Sequence, residues 1–256
     1  MKPLILFSAF LSLPVWATNL AETENKNLDV AGSEAASKAE PPAKIWHGIG
    51  SLGFNNSTGN SHAENLFGKI KLVINPQKWR LEWGLEAALG SNGEKQTRQT
   101  YINDLQLDYD FSEIRYGFAN LHTTRNKYGA FRHQSTFSTG MGWRTIKGER
   151  SELSLETGLG VRQTEENVSG LISTEKVVRG KLNWVYQLND TAKLVENFRF
   201  ESGMGNTTIE SEAGMHLQVS ENVGLKVSYR VISNTEVPEG EADTETLTAV
   251  SLGYLF

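Results

Sequence analysis

The sequence predicts an all-β fold, a transmembrane up-and-down antiparallel β-barrel of about twelve strands preceded by a signal peptide and a disordered tether. Three observations predict it. The chain opens on an export signal, long segments after Lys44 alternate apolar with polar residues, and the last residue is an aromatic that ends one such segment.

The export signal comes first. Lys2 supplies a basic start, Leu4 to Val15 form an apolar run broken by Ser8, Ser12 and Pro14, and Val15-Trp16-Ala17 offers a cleavage site after Ala17. About a dozen apolar residues are too few for a helical span, which needs about 20. Residues 1–17 are therefore expected to be a cleaved signal peptide. From Thr18 to Pro42 the chain is rich in Ala, Glu, Ser, Asn and Lys and nearly free of large apolar residues. Such a stretch cannot offset its ordering entropy by burial, so residues 18–43 are expected to form a disordered periplasmic linker, with residues 44–256 as the barrel. Cysteine is absent, which removes disulfides, thiolate metal sites and thiol nucleophiles. The net charge of −5 argues against a nucleic-acid partner. No cofactor and no metal site are expected.

Twelve alternating segments follow, at 45–54, 64–75, 78–90, 98–111, 113–123, 134–145, 151–163, 174–188, 192–204, 207–219, 223–233 and 244–256. The third shows the pattern: Trp79, Leu81, Trp83, Leu85, Ala87 and Leu89 share one face, while Arg80, Glu82, Gly84 and Glu86 share the other. Side chains alternate across a strand, so each segment has one greasy and one charged face. The connections at Asn75 to Gln77, Ser112, Ile146 to Arg150, Asn189 to Thr191 and Ser220 to Asn222 are short. Those at 55–64, 91–97, 124–133, 163–173 and 233–243 are longer and polar, and only Gly205-Asn206 breaks the rule. Short turns at one end and long loops at the other are the habit of outer-membrane barrels. An even strand count puts both termini at one rim, expected to be periplasmic.

A soluble β-sandwich also alternates. It is disfavoured by segment lengths above ten residues, against a usual five or six, and by charge on nearly every inner face. Aromatics also gather near strand ends, at Trp46, Trp79, Tyr109, Phe111, Trp143, Tyr186, Tyr254 and Phe256, as in an interfacial girdle. In the last segment Val250, Leu252, Tyr254 and Phe256 alternate with smaller residues. That ending looks like the signal read by the barrel-assembly machinery, which is an expected partner alongside outer-membrane lipid and lipopolysaccharide. The barrel is expected to be a monomer.

The stretch Trp46-x-Gly48-x-Gly50-x-x-Gly53-Phe54, followed by Asn55, Thr58-Gly59-Asn60 and Asn65, resembles a family of uncharacterised proteins labelled salt-induced outer-membrane proteins. Further matches are Tyr116-Gly117-Phe118, Gly140-x-Gly142-Trp143-Arg144 and Gly158-x-Gly160-x-Arg162, so the resemblance spans most of the chain after Lys44. The chain departs from it at Asn126-Lys127-Tyr128, where the family often has an Asp before the middle loop. The resemblance implies an outer-membrane barrel and a link to osmotic stress, with no activity attached. Physics accounts for part of the motif: an inward glycine leaves room for a long Arg or Tyr on the neighbouring strand and relieves crowding where a barrel bends.

No hydrolase elbow, zinc-protease motif or phosphate-cradling loop is present, and the chain is not expected to be an enzyme. Of the five histidines, His122 and His133 flank the third outer connection and His62 lies in the first. A catalytic site at the outer rim would have to use these. The acidic stretches Glu165-Glu166 and Glu236 to Asp243 lack calcium-loop spacing. The inner faces are more informative. The expected pore-lining residues are Arg80, Glu82, Glu86, Asp104, Asp108, Arg115, Arg144, Glu152, Glu156, Arg162, Arg179, Lys181, Arg199, Lys226 and Arg230, with Lys69, Lys71 and Glu201 also inward. Acids concentrate on the third, fourth and seventh segments, bases on the eighth, ninth and eleventh. Such a separation can orient a dipolar or anionic solute in a narrow pore, or it can form Arg–Glu pairs that shut the lumen. Eight-stranded barrels are filled by their side chains and those of sixteen or more hold an aqueous channel. Twelve falls between. The leading expectation is a narrow channel for small polar solutes or a stress-linked envelope protein. Its rivals are a closed structural or interaction barrel whose loops bind lipopolysaccharide or a partner, and a lipid-modifying enzyme at the rim.

Overall fold

The structure is a computed structural model that describes residues 45–58, 63–92 and 95–256. The expected signal peptide and linker lie outside the described residues. Twelve strands follow one another: β1 (Trp46–Thr58), β2 (Ala63–Ile74), β3 (Trp79–Asn92), β4 (Lys95–Asp110), β5 (Arg115–Asn126), β6 (Phe131–Lys147), β7 (Ser151–Glu166), β8 (Ile172–Asn189), β9 (Ala192–Ser202), β10 (Thr207–Gln218), β11 (Val223–Asn234) and β12 (Thr244–Leu255). Each pairs antiparallel with its chain neighbours, and β12 closes on β1. No helix among the described residues is long and apolar enough to cross a membrane, and the fold crosses by strands instead.

Closure follows from the alternation. The greasy face of every strand points outward, where Phe54, Leu66, Ile70, Trp83, Leu89, Leu105, Phe137, Leu159 and Leu252 stand exposed. A continuous apolar exterior suits hydrocarbon, and there every backbone group must find an internal partner, which a sheet achieves only by closing on itself. The charged faces turn into the lumen, together with a few buried apolar side chains (Val73, Tyr116, Phe118, Val177 and Leu247).

The seam between β1 and β12 uses glycine where the chains approach closely, and Gly48 receives the last residue. Gly48 N donates to the Phe256 carbonyl (3.1 Å), and Phe256 N donates to the Gly48 carbonyl (3.0 Å). The Phe256 ring then lies over Gly48, so that a Cβ there would meet the ring at 2.5 Å. Trp46 packs beside that ring at 6.2 Å between centroids. Other members of the expected girdle also associate at this rim: Trp79 with Tyr109 (4.8 Å), and Tyr109 with Phe111 (5.4 Å).

Strand lengths correct one sequence expectation. The strands run from 11 to 18 residues, and all but β9 exceed the 9–11 or so that span a bilayer. Most of the polar connections expected to be long loops are instead paired strand. The ladder of β5 and β6 runs to Arg125↔His133, leaving only 127–130 as connection, and that of β7 and β8 runs to Glu165↔Ile172, leaving 167–171. Backbone pairing is indifferent to side-chain polarity, so a hairpin continues into water after its alternation fades. Among the described connections at this rim, only 235–243 stays long. Below, "loop rim" denotes this end and "turn rim" the opposite one, which holds Trp46 and Phe256.

β5, β6 and β7 meet at a tight corner made by inward glycines. A Cβ on Gly140 would meet the Thr157 carbonyl oxygen at 2.1 Å, one on Gly158 the Thr139 carbonyl oxygen at 2.4 Å, and one on Gly142 the Tyr116 ring at 2.2 Å. The last is the expected exchange of an inward glycine for a neighbour's large ring.

Candidate functional site

The chemistry of the barrel lies in its lumen, where charges placed by alternation meet across the sheet. Three contacts join strands separated by three others: β3 with β11, β4 with β8, and β5 with β9. In the first, Arg230 reaches from β11 to Glu86 on β3 with a two-pronged contact (Nη1 to Oε1 3.1 Å, Nη2 to Oε2 3.2 Å). Its Nε also donates to Glu212 (2.7 Å) on β10. Lys226 binds the other side of Glu212, and Lys69 approaches Glu86 at 3.5 Å. A planar guanidinium with two forked faces is the side chain able to bridge two carboxylates in this way.

The second contact is drier. Arg179 donates to Glu156 (2.9 Å), and the side chains of both are only 2% exposed. Glu156 also accepts from the Tyr116 hydroxyl (3.0 Å) and Gln106 Nε2 (2.9 Å). Gln106 donates to Asp108 as well (2.9 Å), while its carbonyl accepts from Lys181 (3.4 Å). The Arg179 guanidinium lies over the Phe118 ring at 4.6 Å. Buried charges persist only when paired and hydrogen-bonded in this manner.

The third contact fixes a histidine tautomer. Arg199 Nη2 lies 3.0 Å from His122 Nε2, and Asp104 Oδ2 lies 2.8 Å from Nδ1. Arginine can only donate, so Nε2 accepts and the ring proton sits on Nδ1, donated to Asp104. Thr124 Oγ1 is also 3.2 Å from Nε2. Asp, His and Thr are thus aligned, but Arg199 occupies the lone pair that a general base would use, and it is itself held by Glu210 (2.9 Å). At the loop rim Arg162, fully buried, binds Glu175 (2.6 Å), which accepts from Gly205 N (2.9 Å) and so ties down the 203–206 turn. At the turn rim Lys71 and Arg80 both hold Glu82, and Arg144 holds Asp110 (2.8 Å).

Most of the lumen residues expected from the sequence do face inward, including Glu201, which accepts from Thr136 (2.9 Å). One does not. Arg115 lies on the outward face at the start of β5, exposed and paired across the sheet with Trp143, while its neighbour Tyr116 points in. A strand starting at 113 left the parity undecided, because the rim residues there carry no alternation. Glu152 keeps inward parity but stands exposed at the turn rim. Sequence reasoning missed Glu210 and Glu212, although they alternate with Ile209, Ser211 and Ala213 and complete the Arg230 and Arg199 contacts. Arg98, Gln106 and Asn120 were likewise missed. His122 was expected near an outer loop and is an inner-face residue of β5. His133 lies on the outer face of β6, hydrogen-bonded to Ser135 (3.3 Å), so the two histidines do not converge. Among the described residues no group of three or more His, Cys, Asp or Glu could hold a metal ion.

The lumen is filled unevenly. Toward β4–β8, Arg162, Arg179, Glu156, Asn120 and Thr136 are packed out of contact with water, whereas Lys69 and Lys71 on β2 remain 36% and 45% exposed. Several inward positions on β11, β12 and β1 are small, at Ser228, Ala249, Gly253 and Ser51, between the larger inward Lys226, Arg230 and Leu247.

The model of the family described as "Protein of unknown function, DUF481" matches residues 50–256. The uncharacterised protein YdiY of Escherichia coli (strain K12) is 25% identical over 214 residues, covering 82% of this chain and 83% of that one. Two solved barrels resemble the structure at low identity. A NanC porin has a TM-score of 0.55 at 9% identity, covering 80% of this chain and 98% of its own. An outer membrane channel from Pseudomonas putida F1 has a TM-score of 0.52 at 11% identity, covering 88% and 100%. Likeness at this identity shows a shared fold.

Proposed function

The chain belongs to the DUF481 family, whose function is unknown, and on that premise we propose that it is a narrow outer-membrane channel for small polar solutes. One observation carries the reading: at the level of the Arg230–Glu86 strut the lumen keeps Lys69 on β2 36% exposed, while its opposite side is packed solid. A barrel meant only to be plugged has no use for charge exposed to internal water. The apolar exterior, the aromatic rim and the porin and channel barrels of like fold support the location. The termini would face the periplasm, the loop rim would meet lipopolysaccharide, and the outward Val250, Leu252, Tyr254 and Phe256 would be read by the assembly machinery. Salt induction and a monomeric state remain part of the proposal.

The Arg230–Glu86 strut supports a second reading, a closed barrel serving structure or docking. Conductance of the refolded protein in planar bilayers decides between them. Discrete steps that enlarge in Arg230→Ala identify the strut as the constriction. A folded barrel silent in both forms overturns the channel.

A further inference from the structure

Every inward arginine described so far is matched to an acid, with one exception. Arg98 on β4 is 5% exposed and its Nε has no hydrogen-bond partner. Among the described residues its guanidinium makes no ion pair within 4.0 Å. Two positions along the same inner face, Thr100 is 6% exposed and its Oγ1 also lacks a partner. A buried guanidinium with no acid in contact and an unpartnered Nε, beside a buried unpartnered hydroxyl, is a costly arrangement unless something completes it.

The register places the pair. Glu86 opposes Ile102 on β4, and Thr100 and Arg98 are the next two inward positions toward the loop rim. Their partners on β3 are Ala88 and Gly90, neither of which carries a polar side chain to pair with them. The two donors therefore sit on the loop side of the Arg230–Glu86 strut, ahead of the constriction for a solute entering from that rim. Arg230 itself is saturated by Glu86, Glu210 and Glu212.

We propose that Arg98 and Thr100 form an oxyanion-binding site in the lumen, taking a small carboxylate or phosphate group before it reaches the Arg230–Glu86 constriction. The guanidinium fork presents two parallel N–H donors that match the spacing of carboxylate or phosphate oxygens. The threonine hydroxyl adds a third donor. The inference rests on the lumen being open to water from the loop rim, as the channel reading requires, but it does not require that the barrel conduct.

Binding is therefore measured at equilibrium, on the refolded barrel in detergent micelles, with inorganic phosphate and acetate as probes followed by 31P and 13C NMR line broadening. Folding of each variant is scored by heat-modifiable gel migration. Saturable broadening by at least one probe is expected. It weakens by about tenfold or more in Arg98→Gln, as loss of a charge-assisted contact requires, and is unchanged in Arg132→Gln, an exposed arginine of the loop rim. Broadening by phosphate alone or acetate alone assigns the oxyanion. If Arg98→Gln does not fold, Thr100→Val and Arg98→Lys carry the test: the first removes a donor at nearly constant shape, the second removes the fork but keeps the charge, and both weaken binding. Binding unaltered by these changes, or no saturable binding to the native barrel, overturns the site. A barrel that binds and never conducts loses the channel and keeps the site, while one that conducts and never binds does the reverse.

Discussion

At the scale of single residues, the lumen is governed by what it costs to bury a charge. Arg179 and Glu156 are almost wholly out of contact with water and hold each other at 2.9 Å. Removing one partner strands the other, which costs about 3–5 kcal/mol in comparable buried pairs, while replacing both with apolar residues of like volume is often neutral. We expect Arg179→Ala to lower stability by about that amount and Arg179→Met with Glu156→Leu to recover most of it, in urea unfolding followed by tryptophan fluorescence. Equal losses for the single and double variants would show that the pair itself stabilises the fold. The exposed pair Arg132–Glu165 (3.4 Å) provides the contrast: an open ion pair is worth at most about 1 kcal/mol, so Arg132→Ala leaves the transition nearly unmoved.

At the scale of elements, the corner of β5, β6 and β7 and the β1–β12 seam are where backbone approaches leave no space. A methyl on Gly158 would strike the Thr139 carbonyl oxygen at 2.4 Å, whereas one on Gly84 finds its nearest atom at 3.9 Å. Overpacking against backbone costs about 1–3 kcal/mol. Gly158→Ala is thus expected to lower the unfolding midpoint and Gly84→Ala to leave it in place. At the seam, Gly48→Val displaces the Phe256 ring and spoils the last step of closure. Its expected sign is a larger unfolded fraction on heat-modifiable gels after refolding. A fraction equal to the native one would show that the ring finds another seat. Element lengths taught a different lesson: hairpins that lose their alternation at 124–133 and 163–173 remain paired. Hydrophobic periodicity marks the part of a strand that meets lipid, and it is silent about the part that stands in water.

At the scale of the whole molecule, the even strand number places both ends of the barrel at one rim and the 203–206 connection at the other. The chain has no cysteine, so single cysteines report topology cleanly. Met204 is fully exposed at the loop rim, and Ser220 lies in a turn at the opposite rim. Labelling of Met204→Cys by a bulky maleimide on intact cells, with Ser220→Cys reached only after the envelope is opened, is the expected pattern. The reverse pattern would turn the barrel over and place the Arg98 site on the periplasmic side of the constriction.

The sequence by itself determined the barrel, its strand number and the facing of most lumen residues, because these follow from a period-two pattern that survives without any knowledge of partners; it failed at Arg115, where a strand end carries no alternation. It also determined the small-for-large exchange at Gly142 in kind, if not the identity of the ring, Tyr116. Only the tertiary structure decided which lumen charges meet. Arg230 and Glu86 are 144 positions apart, and the distance between their strands depends on the closure of the sheet, not on any local signal. For the same reason the unpaired state of Arg98 was invisible in the chain. One more Arg among alternating polar residues looks like all the others until the acids have been assigned.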